Sequence, residues 1–204
     1  MLRVTDLAVS RGGLTILEGV SFALEAGQAL ILRGDNGSGK TTLLRTIAGL
    51  QDPVAGQVDC ESDSIAYAAH LDGIKANLTV AENLGFWADV FQSDNLDAAL
   101  EAFDLKGLLS RAANTLSAGQ KRRLGLARLL LTDRPIWVLD EPTVSLDAFT
   151  VKTFGQIVQK HLDAGGAALI ATHVDLGIEG ETLDVMPFKA KGGSGLSSFD
   201  ESFL

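Results

Sequence analysis

Residues 34–42, GDNGSGKTT, lie between the apolar run QALILRG (28–34) and TTLLRTIAGL (41–50), whose apolar residues fall at helical spacing. They complete a G-x-x-x-x-G-K-[ST] pattern in the strand–loop–helix setting that the pattern requires. The constraint on folding is severe. The strand must be buried, the glycines must turn backbone N–H groups inward, and the helix must begin at the loop so that its positive end faces the same point. Such a loop holds phosphates. Gly34, Asp35, Asn36, Gly37, Ser38 and Gly39 are expected to wrap the β- and γ-phosphates of a nucleotide. Lys40 adds a mobile positive charge, and Thr41, followed by Thr42, offers a hydroxyl to Mg²⁺.

The rest of the chain reads as strands alternating with helices. LRVTDLAVS (2–10) and VSFALE (20–25) carry a strand period and lead as an antiparallel pair into the buried strand at 28–34. SIAYAAH (64–70), PIWVLDEP (135–142), AALIATH (167–173) and TLDVMPF (182–188) are further strand candidates. Between about 71 and 132 the pattern changes. TVAENLGFWADVF (79–91), DNLDAALEAFDL (94–105) and AGQKRRLGLARLLLT (118–132) read as helices with almost no strand signal between them. A further amphipathic helix spans 148–166. Strands alternating with helices imply a mainly parallel sheet covered on both faces, with functional groups at the C-terminal strand ends. The expected organisation is one domain over 1–190, with the helical sub-domain at about 71–132 inserted in it and a flexible Gly/Ser-rich tail over 191–204.

Asp140 and Glu141 end the apolar strand IWVLDE. Asp140 is expected beside the phosphate loop, as a second group for Mg²⁺. Glu141, one residue on, is placed to accept a proton from an attacking water. A second anion-suited loop, LSAGQ (116–120), opens the basic stretch KRRLGLARLLL. By itself Ser117 reads equally as a helix N-cap. The net charge of −9 argues against a nucleic-acid partner, whose binding needs Lys and Arg to displace counterions. The one cysteine, Cys60, permits no disulfide within the chain. No apolar run reaches the roughly 18–20 residues needed to cross a bilayer, and the start of the chain lacks a signal pattern, so work at a membrane requires recruitment by a partner.

The combination of GDNGSGKT, LSAGQ, a strand ending in Asp140-Glu141, Ser145-Leu146-Asp147 and a His after the next strand resembles the ATP-binding-cassette ATPases. The resemblance implies an α/β, P-loop NTPase ABC ATPase fold with N-terminal antiparallel strands and a helical sub-domain. It also implies ATP and Mg²⁺ as cofactors and a second copy of the chain as partner. Two cassettes would face head to tail, so that Ser117, Ala118, Gly119 and Gln120 of one copy close over the γ-phosphate on the P-loop of the other. An interface of this kind is two-fold. Asp147 would belong to the contact between copies, and His173 to the catalytic group with Glu141 and Lys40. Two positions depart from the family pattern. Arg11 stands where an aromatic side chain stacks on adenine, and a guanidinium plane can stack there instead. His70 stands where the family places a Gln near the nucleotide and Mg²⁺.

A narrower likeness runs through Tyr67-Ala-Ala-His70-Leu-Asp-Gly73-Ile74-Lys75 to Thr79, Glu82, Asn83 and Leu84, together with LRGDNGSGKTTLLRTIAGL and LSAGQKRRLGLARL. It resembles the ATP-binding subunits of bacterial cytochrome c maturation, or haem exporter, systems. The resemblance implies a peripheral subunit at the cytoplasmic face of the bacterial inner membrane, with CcmB- and CcmC-like permease subunits as partners. The chain shows no C-x-x-C-H and no evident haem site of its own. An ATPase serving transport of another solute, or a soluble non-transport cassette ATPase, is the alternative reading. Trp87, Trp137 and His161 read as packing residues. The aromatics Phe86, Trp87 and Phe91 read either as internal packing or as a surface for membrane subunits.

Overall fold

A computed structural model describes residues 1–190; the tail expected over 191–204 lies outside them. Two sheets organise the described residues. The first is antiparallel, in the order β2-β1-β4, from β1 (Leu2–Arg11), β2 (Leu14–Leu24) and β4 (Ala55–Cys60). The second has five strands in the order β5-β6-β7-β3-β8, from β3 (Ala29–Arg33), β5 (Ile65–Ala68), β6 (Ile136–Asp140), β7 (Ala167–Ala171) and β8 (Glu181–Asp184). Each neighbouring pair in it is parallel.

The central strands explain the layering. Every residue of β6 and β7 is buried, as expected of strands covered on both faces. Their alternation assigns the faces. Ile136, Val138, Leu169 and Ala171 join one core with Leu43, Leu44 and Ile47 of α1 (Lys40–Ile47) and with Leu7, Val9 and Leu17 of the antiparallel sheet. Helix α1 is thus clamped between the two sheets. Trp137, Leu139, Ala168 and Ile170 face the other way. They meet Phe154 and Val158 of α5 (Ala148–Asp163) and Leu124 and Leu126 of α4 (Ala118–Ala127). Burial of one such Leu contributes about 1.5–3 kcal/mol, so each face fixes its helices firmly.

Between β5 and β6 the chain forms α2 (Val80–Phe91), α3 (Leu96–Ala102) and α4, with two 3₁₀ turns, Lys106–Leu108 and Ala113–Thr115, between α3 and α4. Thr79 opens α2 with a reciprocal cap: its hydroxyl accepts from the Glu82 N–H, and the Glu82 carboxylate accepts from the Thr79 N–H at 2.8 Å. Helix α4 is shorter than the periodicity predicts. It gives way to a 3₁₀ turn at Arg128–Leu131. Similarly, the strand expected over 182–188 covers only Glu181–Asp184, and Pro187 sits in a 3₁₀ turn at Met186–Phe188.

Two segments of the antiparallel sheet gave little sequence signal. Strand β2 begins at Leu14, because Gly12 and Gly13, with φ of 58° and 82°, form a two-residue hairpin that pairs Arg11 with Leu14. Strand β4 is largely exposed and lacks apolar alternation. Backbone pairing with β1, from Leu2↔Cys60 to Ala8↔Ala55, makes it a strand. A register shift between Thr5 and Ala8 is accommodated at Gly56, where φ is +78° and a side chain would collide with the Asp6 carbonyl.

Candidate functional site

The C-terminal ends of β3, β6 and β7 converge on the glycine-rich loop. Gly34 (φ 146°), Gly37 (φ 77°) and Gly39 (φ 101°) all take backbone conformations that side chains rarely adopt. Space is short as well: a Cβ on Gly34 would lie 2.7 Å from Val185 Cγ2 and 2.9 Å from Ser38 Oγ. Gly39 occupies the cap position of α1 without any side-chain cap, so the first N–H groups of the helix remain available to an anion. The Lys40 ammonium donates to the carbonyls of Gly34 at 2.7 Å and Asp35 at 3.0 Å, and so is folded back over its own loop. The buried Ser38 hydroxyl has no hydrogen-bond partner.

Asp140, only 2% exposed, ends β6 against the start of α1. The Thr41 hydroxyl donates to Asp140 Oδ1 at 3.2 Å. Tyr67 of β5 reaches the other oxygen, Oδ2, at 3.5 Å. Burial, and then the Asp140 charge, push the Tyr67 phenol up to about 12, so it remains a proton donor. Thr41 and Asp140 therefore bring two hard oxygen donors together. Among the described residues no group of three or more His, Cys, Asp or Glu could hold a metal alone. The Thr41–Asp140 pair is the kind of oxygen donor set that suits Mg²⁺, a cation that takes few protein ligands and completes its shell from phosphates and water.

Glu141 follows with φ of 45°, a left-handed conformation unusual for a side-chain-bearing residue. Its N–H donates to the Ala171 carbonyl at 2.8 Å. Its carboxylate lies 3.7 Å from His173 Nε2, which is half exposed just beyond β7. Arg33 at the end of β3 donates to the Thr172 carbonyl and so ties the His173 loop to the phosphate loop. Arg11, Asn36, Gly37, Ser38, Gly39, Lys40, Thr41, Thr42, Asp140 and Glu141 line one cleft. The arrangement can cradle phosphates, offer oxygens to a cation, and present a carboxylate and an imidazole to a water.

The second anion-suited loop opens elsewhere. Ser117 is the N-cap of α4. Its hydroxyl accepts from the Gln120 N–H at 3.2 Å, and the Gln120 side-chain oxygen accepts from the Ser117 N–H at 2.9 Å. Ser117 is thus a helix cap, yet it and Ala118 remain exposed. With Gly119 and Gln120 it lines a cleft beside Ser145, Leu146 and Asp147, and this cleft shares no lining residue with that of the phosphate loop. Gly119 packs so closely on the Ser145 carbonyl that a Cβ would lie 2.8 Å from it. Asp147 caps α5, and the N–H of Thr150, donating at 2.7 Å, holds its carboxyl below the usual range.

His70 lies two residues beyond β5, exposed, and is not among the residues lining the phosphate-loop cleft. Its backbone is nonetheless joined to the site. The His70 carbonyl accepts from Arg122 at 3.2 Å, and the same guanidinium donates to the Glu141 carbonyl at 2.8 Å. Sequence reasoning gave no such role to Arg122. The available signal was a charged side chain on the face of α4 that also carries the buried Gly125 and Leu126.

The ABC transporter family profile matches residues 17–144. The cytochrome c biogenesis ATP-binding export protein CcmA of Rhodobacter capsulatus is 60% identical over all of this chain and 97% of its own length. The protein of the same name from Gluconobacter oxydans is 43% identical over 92% of this chain and 88% of its own. Among solved structures, a putative ABC transporter ATP-binding protein from Pyrococcus furiosus superposes with a TM-score of 0.83 at 24% identity, covering 93% of this chain and 99% of that one, a likeness of fold. An ATP-binding subunit of another ABC transporter gives 0.79 at 26% identity, over 85% of this chain and 80% of that one. This chain is a member of the ABC transporter family, in the branch of the cytochrome c biogenesis ATP-binding export proteins.

Proposed function

We propose that this chain is the ATP-hydrolysing subunit of a cytochrome c biogenesis export complex, working as a head-to-tail pair of copies. The observation that carries the reading is the separation of two anion-suited loops into two clefts with no common residue. The phosphate loop, Lys40 and the N-terminus of α1 bind the β- and γ-phosphates, and Arg11 at the rim stacks on the base. Thr41 and Asp140 hold Mg²⁺, which when bound neutralises phosphate charge. His70 approaches the same region once the site closes. Ser117, Ala118, Gly119 and Gln120 of the second copy close over the γ-phosphate, while Asp147 stands at the contact between copies.

With the site closed, Glu141 accepts the proton of a water that attacks the γ-phosphorus. The bond to the β-bridging oxygen breaks, and ADP and phosphate result. His173 fixes the water and the γ-phosphate from the other side. Hydrolysis removes the bridge between copies, and the opening moves the 71–132 helical sub-domain of the 1–190 domain against its partners. Those partners are integral membrane permease subunits of the CcmB and CcmC kind, which place the chain at the cytoplasmic face of the bacterial inner membrane. No described helix is long and apolar enough to cross a membrane, so association runs through these partners. The net charge of −9 supports a reading without nucleic acid, and haem contact falls to the partners.

The test is Glu141→Gln. It should retain ATP binding, lose steady turnover by a factor on the order of 10²–10⁴, as for other general bases, and accumulate as an ATP-dependent dimer in size-exclusion chromatography. Turnover at the parental rate refutes the assignment of the base.

A further inference from the structure

Arg122 is 3% exposed and uses its whole guanidinium. Nε donates to the Pro142 carbonyl at 2.8 Å. Nη1 reaches the carbonyls of Ala69 at 2.8 Å and His70 at 3.2 Å, and Asp72 Oδ1 at 2.8 Å. Nη2 reaches the carbonyls of Asp140 at 3.3 Å and Glu141 at 2.8 Å. Five N–H donors thus serve acceptors from two loops, and the planar fork fixes the loops relative to each other. The Arg122 backbone belongs to α4, five residues after the Ser117 cap. One side chain therefore joins the helix opened by LSAGQ, the His70 loop and the turn that presents Glu141.

The seam around this link is tight. Gly125, one turn on, leaves no room for a side chain, since a Cβ there would lie 2.8 Å from Asp72 Cβ. Arg128 donates to the Tyr67 carbonyl at 2.8 Å, and a Cβ on Gly73 would lie 3.1 Å from Arg128 Nη1. The 69–73 loop is thus held against α4 at Arg122 and Gly125, and against the 3₁₀ turn that follows at Arg128. Glu141 stands in a left-handed conformation that must be held from outside, and Arg122 Nη2 bonds its carbonyl.

We propose that Arg122 is a positioning residue that couples the LSAGQ helix to this chain's own base. A second copy's nucleotide, by engaging Ser117 and Gly119, fixes α4, and Arg122 passes that placement to the backbone of Glu141. Each site then becomes competent only when the other is filled. The inference rests on the paired-copy reading above. It adds a path between the two sites that runs within one chain.

The experiment uses the full chain with its membrane partners and compares Arg122→Gln, Arg122→Lys and the parent. Arg122→Gln keeps hydrogen-bonding capacity but lacks the charge and the fork. Its kcat should fall about 10²-fold, the scale for a base misplaced by about 1 Å. KM for ATP should change far less, and the dependence of rate on ATP should lose cooperativity. Arg122→Lys restores the charge facing Asp72 and should recover part of kcat. Because Arg122 is buried, a second measurement guards against simple misfolding. In a Glu141→Gln background, Arg122→Gln should still form the ATP-dependent dimer. A parental kcat and cooperativity in Arg122→Gln overturn the proposal, and so does loss of that dimer, which would make the residue merely structural. If Glu141→Gln alone turns over normally, the underlying assignment of the base fails instead.

Discussion

Gly155 lies within α5, and its neighbour in space is the backbone that follows His173. A methyl group at 155 would overlap the Leu176 carbonyl oxygen and stand 3.1 Å from the carbonyl carbon. Gly155→Ala therefore sets two effects against each other. Replacing a helix-interior Gly by Ala contributes about 1 kcal/mol of stability. Overpacking a filled interior costs about 1–3 kcal/mol, and the upper end applies when the obstacle is backbone rather than the end of a flexible side chain. The net expectation is a loss of about 1–2 kcal/mol, or roughly 2–8 °C in Tm at about 2–4 °C per kcal/mol for a chain of this size. The displaced segment is also stiff: the Thr172 hydroxyl accepts from the Val174 N–H at 3.1 Å, and the Asp175 carboxylate accepts from the Gly177 N–H at 2.8 Å. A shift at Leu176 must carry His173 with it. Thermal unfolding and ATPase kinetics on the same preparation test this: Tm and kcat should both fall, while ATP binding at the phosphate loop persists. A Tm at or above the parent's would show that helix propensity outweighs the contact and would refute the reasoning.

Other perturbations probe separate parts of the structure. His161 stacks on Trp137 with ring centroids 3.9 Å apart, and its Nε2 lies 3.1 Å from the Pro135 carbonyl; burial pulls its pKa below 6.5. The unfolded chain then takes up the proton first, so the stability that His161 contributes is complete above about pH 6.5 and is lost as pH falls through the lowered folded value. Chemical denaturation from pH 7.5 to 5 should show this slope in the parent and a flatter one in His161→Leu. Ser117→Arg removes the N-cap, at about 1 kcal/mol, and places a bulky charge on the LSAGQ loop. It should bind ATP as the parent does while losing the ATP-dependent dimer, and a dimer formed normally by this variant would contradict the shared-site reading.

The phosphate loop could be read from sequence because its geometry demands particular residues: three positive φ angles require three glycines, and the helix that follows requires a break from strand to helical spacing. β6 and β7 could be read because burial on both faces demands unbroken apolar runs. β4 could not, since nothing but backbone pairing to β1 makes AGQVDC a strand. Nor could the first half of β2, where Leu17 alone is fully buried and no apolar alternation shows. Trp137 and His161 read correctly as packing residues, stacked on each other. In the candidate site, Asp140 and Glu141 were visible as polar residues ending an apolar strand. The partners of Arg122 were not, because five of its six acceptors are backbone carbonyls. Carbonyls are the same whatever residue bears them, so the receiving side leaves no trace in the sequence.

The turn between β6 and α5 concentrates this dependence on surrounding structure. Within Glu141–Asp147, both Glu141 and Ser145 hold left-handed conformations, at φ of 45° and 67°. Each costs about 1–3 kcal/mol, and together they take a substantial part of the roughly 5–15 kcal/mol by which a domain is stable. Glycine at either position would relieve the strain but would remove the carboxylate from one and the hydroxyl from the other. Beyond the bond from the Glu141 N–H to Ala171, support for the turn comes from α4: Arg122 binds the carbonyls of Glu141 and Pro142, and Gly119 packs against the carbonyl of Ser145. The helix that carries LSAGQ thus also supports the strained turn that carries Glu141. A force on that helix changes the turn before it changes the sheet, whose central strands β6 and β7 are buried on both faces.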